Sequence, residues 1–63
     1  MPLVKIEMWS GRTPEQKEKL IQNVTKAVCD SVGCPKEAVW VVIEDVPKEN
    51  WGMSGEQCSK SKP

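Results

Sequence analysis

Sixty-three residues allow one domain, spanning 1–63, with little core. A chain this short buries only about 60% of the surface its unfolded form exposes, so it needs disulfides, a metal or copies of itself. Nine basic and nine acidic residues cancel, and apart from Lys60 and Lys62 no Lys/Arg cluster supplies the basic face that phosphate neutralisation demands; no apolar run approaches the ~18 residues of a membrane span.

In chain order, residues 3–9 read Leu-Val-Lys-Ile-Glu-Met-Trp. Val4, Ile6 and Met8 share one face and Lys5 and Glu7 the other, the alternation of a half-buried strand. Ser10-Gly11-Arg12 breaks it. Thr13-Pro14-Glu15-Gln16 then announces a helix, with Thr13 at the N-cap, Pro14 in the first turn and Gln16 completing a capping box. Leu20, Val24, Val28 and Val32 recur every four residues, widened by Ile21 and Ala27, while Glu15, Lys19, Gln22 and Lys26 take the opposite face. Gly33 is placed to end the helix. The spacing therefore predicts a helix over 14–32, roughly 28 Å long.

After the connector Pro35-Lys36-Glu37, residues 38–44 predict a second strand. It is apolar without interruption from Val39 to Ile43, so both its faces need cover. Two strands joined by a helix of this length make a β-α-β unit, an α/β fold with a parallel pair. Asn50-Trp51-Gly52-Met53-Ser54-Gly55 is turn-rich and closes a short hairpin. Residues 56–63 read as a polar tail, Lys60 and Lys62 being solvated charges. One helix cannot cover both faces of the second strand, so the pattern calls for another chain.

Other staples fit poorly. Cys29, Cys34 and Cys58 are an odd number without framework spacing. Residues 3–9 are too short and too charged for a secretory leader, and a reducing, cytoplasmic location follows as the expectation. With no histidine and no C-x-x-C pair, no metal site is expected.

The same inventory limits the chemistry. Ser10, Ser31, Ser54, Ser59 and Ser61 have no imidazole partner, which excludes a serine triad. Pro2 follows the initiator Met1. Loss of Met1 would expose a secondary amine, whose basicity falls toward neutrality when it is desolvated or set beside a cation. A proline there also simply begins a strand, where its missing N–H costs nothing. Arg12 is the only arginine and lies at a strand-to-helix turn, suited either to holding a carboxylate by two hydrogen bonds or to plain exposure. Trp51 sits in a loop, where it can wall a pocket or anchor an interface.

Taken together, Met-Pro-Leu-Val-Lys-Ile at the start, Gly-Arg-Thr-Pro-Glu-Gln-Lys at 11–17, Leu-Ile-x-x-Val-Thr-x-Ala-Val at 20–28, Val-x-Val-Val-Ile-Glu at 39–44 and Asn-Trp-Gly-Met-Ser-Gly at 50–55 resemble the 4-oxalocrotonate tautomerase family over nearly the whole chain. The resemblance implies β-α-β subunits that pair into a four-stranded sheet, three pairs forming a hexamer. It implies an isomerase that moves a proton from a 2-hydroxydienoate to a distal carbon, a 1,3-keto–enol shift on a small carboxylate, without metal or organic cofactor. Pro2 matches the family's base, Arg12 its carboxylate-binding arginine and Trp51 its aromatic pocket wall.

One position departs from the family pattern. Trp40 stands where the best-studied members carry a second arginine against the substrate's 2-oxygen. Indole offers one neutral donor against a charged fork of five, and losing such a contact costs on the order of 3 kcal/mol in the transition state. Three consequences are compatible with it: a substrate with one carboxylate, another group polarising the carbonyl, or a hetero-oligomer in which a different subunit carries the arginine. Two further functions stay open. One is proline-dependent hydration or dehalogenation of an unsaturated acid, with Glu7, Glu44 or Asp45 activating water. The other is a non-catalytic subunit.

Overall fold

The computed structural model describes residues 1–60. Strand β1 (Leu3–Trp9) follows the predicted alternation, with Val4, Ile6 and Met8 turned to the helix and half-buried, and Leu3, Lys5 and Glu7 exposed on the other face. Helix α1 (Pro14–Val32) has the predicted bounds. Its capping box is formed in both directions: the Gln16 N–H donates to Thr13 Oγ1 at 3.1 Å and the Thr13 N–H to Gln16 Oε1 at 2.9 Å. At its other end Gly33 adopts φ 75°, a conformation that would strain a side chain, and its N–H donates to the Cys29 carbonyl at 2.9 Å.

Strand β2 is Trp40–Val46, two residues later at each end than 38–44. The reason is Pro35. It leads into a 3-10 turn over Lys36–Ala38, closed by Ala38 N–H to Pro35 C=O at 3.0 Å and Val39 N–H to Lys36 C=O at 3.1 Å. Residue 38 is thus spent in the turn, and the ladder begins where Trp40 N–H donates to the Pro2 carbonyl at 3.0 Å. It ends at Pro47, which has no N–H to continue it. The pairing is parallel, Leu3 opposite Trp40 through to Trp9 opposite Val46. Beyond it a 3-10 turn, Lys48–Asn50, leads to the hairpin β3 (Gly52–Met53) and β4 (Glu56–Gln57). Ser54 and Gly55 join them with φ 54° and 80°, the two positive angles a tight hairpin turn requires. Of the polar tail expected over 56–63, residues 56–57 are β4 and Cys58–Lys60 a further 3-10 turn; 61–63 lie outside the described residues. Cys58 folds back, its N–H reaching the Trp51 carbonyl at 2.8 Å.

The helix stripe is narrower than its sequence pattern. Leu20, Val24 and Val28 meet the sheet, but Ile21, Ala27 and Val32 are exposed, because a two-stranded sheet is too narrow to cover them. Among the described residues only Cys58, 3% exposed, is fully buried. The chain exposes 4995 Å², against about 4100 Å² for a compact chain of its mass. Its radius of gyration is 14.6 Å, against about 11 Å for a compact 63-residue domain. The uncovered side is the sheet face away from α1, where Leu3, Trp40 and Val42 are 56%, 58% and 46% exposed. This is the second face that the apolar run of β2 required another chain to cover. No helix among the described residues is long and apolar enough to cross a membrane.

Candidate active site

The sequence candidates divide between the two ends of the sheet. Pro2 and Trp40 are together at one end. Pro2 is half-buried, its carbonyl accepts from the Trp40 N–H, and Met1 before it is 85% exposed. Parallel strands rise about 3.3 Å per residue, so the eight steps from Pro2 to Ser10 carry the chain roughly 26 Å. Arg12 follows that far end, exposed and without an ion pair among the described residues. Trp51 belongs to the same far end, because β2 runs parallel to β1 and delivers the chain there.

Two residues that the sequence reading missed complete the far end. The Trp9 and Trp51 rings meet edge to face, centroids 6.1 Å apart, an arrangement worth about 1 kcal/mol beyond its area. The Lys48 ammonium lies 4.8 Å from the Trp9 ring centre, drawn by the negative face of the indole. Trp9 Nε1 is buried without a hydrogen-bond partner, so a donor is held there unsatisfied. Arg12 and Lys48 put two cations at the C-terminal ends of a parallel strand pair, where α/β folds commonly receive ligands. Of the carboxylates considered, Asp45 is engaged by Lys17. Glu7 and Glu44 sit opposite one another on the open sheet face.

One chain therefore brings Pro2 to Trp40, and Trp51 to Trp9 and Lys48, but does not bring Pro2 to Arg12 or Trp51. The cavities along α1 are lined by residues between Pro14 and Lys36 and include none of the four candidates. Among the described residues no cluster of three or more His, Cys, Asp or Glu is arranged to hold a metal.

Comparison with known proteins agrees on one family. The family described as "Tautomerase enzyme" matches residues 2–61. The chain is 51% identical over 55 residues to the 2-hydroxymuconate tautomerase of Comamonas testosteroni, covering 87% of each chain. Among solved structures, one from a study of the 4-oxalocrotonate tautomerase isozymes of Methylibium petroleiphilum superposes with TM-score 0.89 at 50% identity, over 92% of this chain and 94% of that one. A heterohexamer 4-oxalocrotonate tautomerase of Chloroflexus aurantiacus gives TM-score 0.93 at 29% identity, over 98% and 100%. Sequence, strand register and whole-chain superposition thus converge, and the chain belongs to the tautomerase family.

Proposed function

We propose that this protein is an isomerase that performs 1,3-keto–enol proton transfer on a 2-hydroxydienoate or related 2-oxo acid, with Pro2 as base and then acid. The observation that carries the reading is the setting of Pro2. In a chain of the tautomerase family it is the second residue, its carbonyl held by the Trp40 N–H, and it is preceded by an exposed Met1. While Met1 is attached, the Pro2 nitrogen is a tertiary amide with no basicity. Its removal leaves a secondary amine able to accept the enol proton and return it to a distal carbon as the 2-oxygen becomes a carbonyl. No metal or organic cofactor enters this scheme.

The separation of Pro2 from Arg12 and Trp51 is accounted for by assembly. In this reading two chains pair into a four-stranded sheet, three pairs make a hexamer, and Arg12 from one chain holds a substrate carboxylate near Pro2 of another. A guanidinium near the amine also lowers its proton affinity. Trp51 and Trp9 wall the pocket and exclude water. Trp40 beside Pro2 supplies one neutral N–H where the family pattern has an arginine. This favours a substrate with a single carboxylate, such as 2-hydroxy-2,4-pentadienoate, over 2-hydroxymuconate. A mixed assembly is the other route to the missing cation, and the Chloroflexus relative is a heterohexamer.

The test uses protein freed of Met1 with 2-hydroxymuconate, 2-hydroxy-2,4-pentadienoate and phenylenolpyruvate. Pro2→Ala is expected to slow the favoured substrate about a hundredfold, the lower range for loss of a positioned acid–base. Unchanged rates on all three overturn the reading. A second reading, hydration or dehalogenation of an unsaturated acid, draws on the facing Glu7 and Glu44. Halide released from a halogenated unsaturated acid, or hydrated product from its unhalogenated counterpart, in parallel assays distinguishes it.

A further inference from the structure

We propose that Cys29 and Cys34 form a dithiol site on the flank of α1 that reacts with a low-molecular-weight disulfide bearing carboxylates and closes to an intramolecular disulfide. The helix end creates the juxtaposition. Gly33 turns the chain left-handed, and its N–H is tied to the Cys29 carbonyl at 2.9 Å. In helix ends of this kind the residue four before the glycine and the residue after it frequently pack against each other. Here both are cysteines. The Cys34 thiol is near enough to Cys29 to push that thiol's proton affinity up, both residues line one cavity, and both are half-buried and free.

The two sulfurs share a cavity of about 550 Å³ with Ile21, Thr25, Asp30 and Lys36 among its lining residues. That volume is in the range of small-molecule sites. Lys36 and Lys26, also in the lining, provide positive charge for the carboxylates of a peptidic disulfide; Lys26 is shared with Asp30 at 2.8 Å. Cys58, fully buried elsewhere, serves as an internal control.

The two thiols divide the work. Partial burial first, then Cys34, Asp30 and Glu37, push the Cys29 thiol above its ordinary range, which makes it the slower nucleophile. Cys34 therefore attacks first. Its sulfur, having lost its proton, displaces one small thiolate and forms a mixed disulfide. Cys29, deprotonated in turn, attacks the Cys34 sulfur and expels the second thiolate. The protein loses two protons and two electrons, and the small disulfide takes up both to become two thiols.

The experiment equilibrates reduced full-length protein with glutathione disulfide, quenches it in acid, alkylates it and reads intact mass and linked peptides. The expected product carries a single alkyl group, on Cys58, where the fully reduced protein carries three, and yields a Cys29–Cys34 linked peptide. Cys29→Ser is expected to stop at a glutathione adduct on Cys34, and Cys34→Ser to react more slowly than wild type. A wild-type protein that stays reduced in excess glutathione disulfide, accumulates the adduct, or forms a bond to Cys58 or to a second chain overturns the proposal.

Discussion

Arg12 owes its place to the turn that separates β1 from α1. The first-turn N–H groups of a helix favour negative charge nearby, and the guanidinium adds a fixed pair of donors. A hydrogen bond to a charged group is worth about 1.5–3 kcal/mol. Arg12→Ala is therefore expected to lower kcat/KM on a carboxylate substrate about 10- to 100-fold, chiefly through KM. Arg12→Lys should recover only part, since an ammonium lacks the two-pronged geometry. Steady-state kinetics on the three proteins decide it, and equal kcat/KM for wild type and Arg12→Ala contradicts the assignment. Pro2, Arg12 and Trp51 could be picked out because each is unusual in type or place: a proline after the initiator, a single arginine, a tryptophan in a turn. Trp9 and Lys48 could not. Trp9 looks like an ordinary strand end, and its partners arrive only because Val46 pairs with Trp9 and the next turn swings Lys48 and Trp51 over it.

At the scale of elements, α1 was the most legible part because its start and stop are chemically explicit. The Thr13–Gln16 box and the left-handed Gly33 fix both ends independently of packing. Thr13→Ala removes the hydroxyl that accepts from the Gln16 N–H and should cost about 1 kcal/mol. Urea unfolding at fixed protein concentration should show a lower midpoint with an unchanged slope; an unchanged midpoint would mean that the cap contributes nothing. β2 was less legible. Its apolar run says strand but not where the ladder starts, and that is set by the Pro35 turn and the Pro2 carbonyl. The hairpin followed from the turn-rich run over 50–55, whereas the 3-10 turns at 48–50 and 58–60 left no periodic trace.

For the whole molecule, the sequence signalled incompleteness more clearly than it signalled a partner. An uninterrupted apolar strand in a chain with one helix has no internal solution, and the exposed Leu3, Trp40 and Val42 are that deficit in three dimensions. Burying a large apolar side chain is worth roughly 1.5–3 kcal/mol, so a neighbouring chain has much to gain on this face. Which residues meet across chains is written in no local pattern, because Pro2 and Arg12 lie at opposite ends of β1. That separation gives the most direct test of the proposed site. Pro2→Ala and Arg12→Ala proteins, each impaired alone, are unfolded together at equal amounts, refolded and assayed. If each site takes Pro2 and Arg12 from different chains, random mixing restores about one quarter of wild-type activity, since each residue is intact in half the positions. If both residues served from the same chain, every site would keep one defect and no activity beyond that of the separate variants would return.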